Sequence, residues 1–338
     1  QGTWSVDTIK GFSGLSDYYF TSDKLEAYGN GNMLKGGLVY ADRITTVSRS
    51  YASEIRMPFY GEGLDGLLRA RSNQLSGIVN GIDYNVYNPK TDKDIAVNYS
   101  VEDVIKAKAA NKTALQKELG LEENPDAFML GIVSRLTDQK GLDLVECVLD
   151  QICAEDVQLV VLGTGEGKYQ DMFTYYSRKY PERVSANIFY SEALSHRIYA
   201  SCDAFLMPSL FEPCGLSQLM SLRYGTLPIV RETGGLRDTV TPYNEVDGTG
   251  TGFSFTNYNA HEMLAIIRYA KKTYFNDRRA WNEMVLRAMK QDFSWDASAR
   301  EYEKLYDGLI EEEARRKEAI RLQQAREAAE AALKAAEK

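Results

Sequence analysis

The rhythm of apolar and polar positions changes along this chain. From residue 127 onward, unbroken apolar runs alternate with amphipathic stretches. The runs at 128–136, 157–163, 185–190, 204–209, 227–232 and 250–255 predict strands buried on both faces. Between them, 141–152 carries Leu142, Val145, Val148, Leu149 and Ile152 on one helical face, and 168–180, 192–202 and 215–225 also read as helices. Strand and helix alternating at this spacing mean parallel pairing through right-handed crossovers. Residues 127–270 therefore read as one complete doubly wound α/β domain, with ligands expected at the carboxyl ends of its strands.

The flanks differ. Residues 1–78 mix short helices and strands, and RITTVS (43–48) is a β-branched strand. Residues 77–89 predict a short strand, a turn at Asn80-Gly81 and a linker; 101–119 is a polar helix stopped by Gly120. After Gly308 neither Gly nor Pro occurs, and Glu311–Arg315, Glu312–Arg316, Glu313–Lys317 and Glu330–Lys334 have favourable i,i+4 spacing. Ile320, Leu322 and Leu333 are too few for a coiled-coil seam, so 309–338 is expected to be a solvated, fraying helix, with contact to another chain as the sharper alternative. The expected division is a first lobe over 1–78, a hinge and linker helix over 79–125, the α/β domain over 126–308 and the tail.

Composition narrows the functions. Of 338 residues 44% are apolar, enough for a large core, and the formal charge of −8 offers no global attraction to nucleic acid or anionic membrane. There is neither a run of 18 apolar residues nor a visible signal peptide, and a cytoplasmic location is expected. Of Cys147, Cys153, Cys202 and Cys214, three sit in apolar helical contexts and read as buried, reduced thiols; no two form a CxxC pair. With only His196 and His261, a histidine-based metal site is not expected, and no cofactor is called for.

Chemistry is expected in the strand-end loops. In Ser134–Gly141, Arg135 and Lys140 stand beside a helix start, an arrangement suited to a diphosphate, though cations after a strand are also ordinary surface residues. In the loop after the fourth strand, Gly215 allows a ligand close to the backbone, and the amides of Gly215, Leu216 and Ser217 point outward at a helix start. Glu212 beside them suits sugar hydroxyls better than phosphate; the plainer reading has Glu212 capping the turn and Pro213 starting the helix. Gly163–Gly167 reads as a tight turn, and Thr233-Gly234-Gly235-Leu236 as a turn with possible backbone contact to a ligand. Tyr190, ending the third strand, suits stacking on a base or plain packing.

Together, VSRLTDQKGLDL (133–144), FYSEALSHRIY (189–199), FEPCGLSQL (211–219) and RYGTLPIVRETGGLRDTV (223–240), with ADRITTVSRSYASEI (41–55), GEGLDGLL (61–68) and GIVNGIDYNVYNP (77–89), resemble glycosyltransferase family 5, the ADP-glucose-using glycogen and starch synthases. The resemblance covers roughly 1–308. It implies the GT-B architecture of two Rossmann-like domains facing a cleft, and metal-independent transfer of glucose from ADP-glucose to an α-1,4-glucan with retained configuration. It implies that Arg135 and Lys140 hold the diphosphate and that Glu212 contacts glucose hydroxyls. The amides of Cys214, Gly215 and Leu216 would help hold sugar and phosphate, Tyr190 would pack on adenine, and Asn80 would face the cleft.

There are two departures. Met220 stands where related retaining transferases carry a second Glu, as is common in family 5. The family's Lys-x-Gly-Gly loop and the His-Asn before Gln1-Gly2 are absent, and Lys35-Gly36-Gly37 lies in a helix-like region instead. The expectation is a chain lacking the first part of its first domain and weak in glucan synthesis alone. A non-catalytic nucleotide-sugar or glucan-binding module is the alternative, and another GT-B enzyme a third reading.

Overall fold

A computed structural model describes the backbone of residues 1–336 and the side chains through residue 332. The first lobe opens with a small antiparallel sheet, β1 (Thr3–Trp4), β2 (Glu26–Ala27) and β3 (Asn30–Asn32), in the order β1-β3-β2; α1 (Val6–Ser13) follows β1. Helix α2 (Met33–Tyr40) starts where the Asn32 side chain accepts from the Lys35 amide at 2.9 Å, and it contains Lys35-Gly36-Gly37. Strands β4 (Ile44–Thr46) and β5 (Leu75–Gly77) pair in parallel, with α3 (Arg49–Glu54), α4 (Pro58–Gly61) and α5 (Asp65–Ala70) between them. Ser48 caps α3 through the Tyr51 amide at 3.1 Å. A Cβ on Gly77 would lie 2.0 Å from the Ser48 carbonyl, so β5 approaches that turn only as glycine.

The hinge segment is tied to the second lobe where the Ile82 amide donates to the Phe293 carbonyl at 2.8 Å. Helix α6 (Val104–Leu119) then ends on Gly120 in the left-handed conformation.

The second lobe is a six-stranded sheet, parallel throughout, of β6 (Phe128–Val133), β7 (Val157–Leu162), β8 (Val184–Asn187), β9 (Ala204–Met207), β10 (Leu227–Arg231) and β11 (Phe253–Phe255). Its connections are α7 (Leu142–Ala154), α8 (Gly167–Lys179), α9 (Glu192–Ser201), α10 (Ser217–Arg223) and α11 (Gly234–Thr239), and α12 (Ala260–Asn276) and α13 (Arg278–Met289) follow. The order β11-β10-β9-β6-β7-β8 reverses direction between β6 and β9. That switch point opens a crevice at the carboxyl ends of the two strands. Central strands such as β7 are buried throughout, which is why they read as unbroken apolar runs.

The expected fold class stands, and the differences are at element ends. The last strand shrinks from 250–255 to β11, because Gly250 and Gly252 are tucked against the 242–243 backbone and Pro228. The C-terminal helix α14 (Trp295–Ala336) begins well before residue 308 and crosses it without a break. Ser298 anchors it to the hinge, donating to the Val79 carbonyl at 2.6 Å. Beyond residue 310 its side chains are mostly exposed, and Glu312 pairs with Arg43 of the first lobe rather than with Arg316. Leu333 and the Glu330–Lys334 pair fall outside the described side chains. Cys147 is exposed on α7, on the face that turns away from the sheet, while Cys153, Cys202 and Cys214 are buried. Among the described residues no helix is long and apolar enough to cross a membrane.

Candidate functional site

The loops after β6 and β9 meet at the switch point. Gly141, at φ +72°, closes the first of them, and a Cβ there would lie 2.1 Å from the Pro208 carbonyl. Only glycine combines that left-handed backbone with so close an approach. Across the junction the Leu210 amide donates to the Gln139 carbonyl at 3.0 Å, and Gln139 Nε2 donates to the Phe211 carbonyl at 3.3 Å.

This stitching brings Lys140 Nζ to 2.6 Å from Glu212 Oε2. The same oxygen accepts from Ser209 Oγ at 3.1 Å, and Glu212 is 6% exposed. A carboxylate this buried needs such partners, since an uncompensated charge out of water is costly. Lys140 has further N–H donors to offer a ligand. Arg135 stands exposed on the same loop, its Nη2 3.4 Å from Gln139 Oε1. Sequence distinguished neither cation from an ordinary surface residue; the structure separates an exposed Arg135, held among the described residues only by a long bond to Gln139, from a Lys140 paired with a buried carboxylate.

Two features fix the Glu212 loop from behind. Arg231, at the end of β10, donates through Nε to the Ser209 carbonyl at 2.8 Å and also bonds the Leu210 carbonyl. The Gly235 amide donates to the Glu212 carbonyl at 3.0 Å. Gly215 takes φ +72°, and α10 begins at Ser217 with no side chain capping it. Its first amides are thus left for another acceptor. Pro213 does not start this helix, because three residues, Cys214 to Leu216, intervene. Burial pushes the Cys214 thiol up to about 11, with the Asn80 amide pulling the other way through a hydrogen bond. Asn80 of the hinge and Cys214 of the loop therefore adjoin. Asn80 also lines a hinge cavity of about 380 Å³ with Arg49, Asp238 and Glu301.

Tyr190 lies three residues beyond β8, not at its end, and is 85% exposed. So exposed a ring is not held in place by burial among the described residues. The Gly163–Gly167 turn presses on the Arg135 loop: a Cβ on Gly165 would lie 2.2 Å from the Leu136 carbonyl. Beyond the turn, Lys168 Nζ and Tyr169 OH both donate to Asp138 at 2.5 Å, and they hold its carboxyl below the usual range, Lys168 most. Among the described residues Asp92, Asp94 and His196 have potential ligand atoms within 4.8 Å of one another. Both Asp92 oxygens already accept from protein donors: Asp94 N, His196 Nδ1 and Tyr224 OH. The trio reads as a hydrogen-bonded anchor for the linker.

Residues 1–70 match the starch synthase catalytic domain, and residues 112–285, more than half of the chain, match the glycosyl transferases of group 1. The chain belongs to the group 1 glycosyl transferases. This glycosyl transferase is 69% identical over 309 residues to a glycogen synthase of Lachnospira eligens, covering 91% of this chain and 65% of the relative. It is 51% identical to a glycogen synthase of Clostridium acetobutylicum, covering 92% of this chain and 65% of that one. The transferase thus spans about 65% of the length of these curated relatives. The solved catalytic domain of starch synthase IV from Arabidopsis thaliana, bound to ADP and acarbose, superposes with TM-score 0.84 at 34% identity, over 91% of this chain and 64% of that one. Sucrose-phosphate synthase from Thermosynechococcus elongatus shares the fold, with TM-score 0.55 at 20% identity over 81% of this chain and 59% of that one. The resemblance to glycogen and starch synthases read from the motifs is borne out.

Proposed function

We propose that this chain carries the donor-binding lobe of a glycogen (starch) synthase, which moves glucose from ADP-glucose to the non-reducing end of an α-1,4-glucan with retained configuration. The observation that carries it is the Lys140–Glu212 pair at the switch point, beside the uncapped start of α10. A glycosyl donor needs both halves of such a site: positive charge for the diphosphate and a fixed carboxylate for the sugar hydroxyls. The ADP held by the Arabidopsis starch synthase supports the choice of nucleotide.

In this reading the diphosphate lies between Arg135, Lys140 and the amides of Cys214, Gly215, Leu216 and Ser217. As the sugar–phosphate bond breaks, negative charge grows on the β-phosphate. Fixed cations and amides aimed there stabilise the transition state more than the ground state. Glu212 orients Lys140 and receives glucose hydroxyls with its remaining acceptor capacity. Tyr190 offers an exposed ring to adenine, and Asn80 faces the sugar from the hinge. Retention follows from same-face attack by the glucan hydroxyl, with no enzyme nucleophile assigned.

The test is calorimetry of ADP binding to the 338-residue chain, together with transfer of labelled glucose from ADP-glucose to glycogen by the native polypeptide that contains it. Arg135→Ala and Lys140→Ala each remove a charge-assisted contact and should weaken ADP about tenfold or more. Unchanged ADP affinity in both variants overturns the site assignment. ADP binding without any transfer to glycogen marks a binding module instead.

A further inference from the structure

Helix α3 of the first lobe grips the second lobe in three places: the donor loop, α11 and the turn that opens α11. Ser48 Oγ, at its N-cap, donates to the Pro213 carbonyl at 2.6 Å. Ser50 donates to Asp238 from its amide at 2.9 Å and from Oγ at 2.5 Å. Glu54 Oε1 accepts from the Gly234 amide at 2.8 Å and from Thr233 Oγ1 at 3.2 Å. These residues are 165 to 188 positions apart in the chain, so the contacts exist only because the lobes are closed on each other.

The Thr233-Gly234-Gly235 turn is packed directly onto the donor loop. A Cβ on Gly234 would lie 2.0 Å from the Glu212 carbonyl, one on Gly235 2.0 Å from the Cys214 carbonyl, and the Gly235 amide bonds the Glu212 carbonyl. A displacement of that turn is therefore felt at Glu212. Thr233 is fully buried, and the carboxylate meeting it comes from the opposite lobe. None of this uses the groups placed around the diphosphate.

We infer that Glu54 is a positioning residue: an interlobe latch whose carboxylate holds the Thr233–Gly234 turn, and through it the Glu212–Cys214 loop, when the lobes close. Ser48 and Ser50 align α3 for this contact, and Glu54 supplies its charged part. A carboxylate accepting a backbone amide and a buried hydroxyl makes a charge-assisted bond, and in a two-state closure such a bond biases the population by about tenfold or more. The effect on the donor rests on the function proposed above; the latch itself does not.

The experiment uses the full chain carrying Ser22→Cys, spin-labelled there on the first lobe and at the exposed Cys147 on the second, with the interlobe distance read by pulsed electron resonance. Glu54→Ala should lengthen and broaden the distance and weaken ADP severalfold. Glu54→Gln keeps an oxygen for the Gly234 amide and should return both toward the unaltered chain. An unchanged distance in Glu54→Ala overturns the latch, as does Glu54→Gln behaving like Glu54→Ala. If the unaltered chain binds no ADP, the donor assignment fails, while the distance still decides the latch.

Discussion

Side chains that no local pattern singles out hold the linker and the site. Asp92 is the clearest case. Burial alone would raise its carboxyl, but hydrogen bonds from His196 Nδ1 at 2.6 Å, Tyr224 OH at 2.5 Å and the Asp94 amide outweigh it, and the group sits below the usual range. A carboxylate whose folded pKa lies below its unfolded one contributes stability above the unfolded value, roughly pH 4, and loses it as pH falls through the folded value. Urea midpoints should therefore drop as pH is lowered from about 5 to 3. Asp92→Asn should flatten that drop while lowering the midpoint at pH 7. An equally steep acid limb in Asp92→Asn contradicts the assignment. Nothing in the spacing of Asp92 and His196 signals the pair, because 104 residues separate them.

At the level of elements, apolar periodicity located every strand of the second lobe within a few residues, because burial on both faces is a property of the strand's own residues. The ends were less legible. A strand stops where its neighbour stops, so β8 ends at Asn187 and leaves Tyr190 in a loop. Helix α10 begins at Ser217, since Gly215 is held in the left-handed region next to Gln218. Gly141 gives an element-scale prediction. Gly141→Ala places a Cβ at φ +72° and 2.1 Å from the Pro208 carbonyl, and should cost about 2 kcal/mol or more, with ADP affinity falling as the Lys140 loop shifts. Gly37→Ala, in α2 with nothing within 4 Å of the added Cβ, should be neutral or stabilising by up to ~1 kcal/mol. Equal urea midpoints for the two variants contradict the packing described.

In the whole molecule, stability is unevenly shared. One continuous core, with fully buried members from Ile95 to Met289, belongs to the linker and the second lobe; the hinge adds Tyr87 at its edge, and among the described residues the first lobe adds none. The first lobe has two small sheets of three and two strands, and it exposes Trp4, Phe12, Tyr28 and Phe59. Regions with few buried apolar contacts open at lower free energy than a core sheet. Amides of β4 and β5 should exchange with solvent at least about tenfold faster than those of β6, β7 and β9, as read by hydrogen exchange with mass spectrometry. Equal protection in the two sheets contradicts this ranking. Since α3 closes on α11, Glu54→Ala should widen the difference further.

Sequence by itself determined the alternation of strand and helix, hence a parallel doubly wound lobe, and the loops where a ligand would be met. Those follow from local rules: burial on both faces for strands, 3.6-residue spacing for helices, and glycine where the backbone must turn left-handed. Tertiary structure alone decided which loops meet. Setting β6 beside β9 brings Lys140 onto Glu212 across 72 residues, and closing the lobes brings Glu54 onto Gly234 across 180. Such contacts depend on strand order and lobe docking, which the packing of the whole chain selects and no short window encodes.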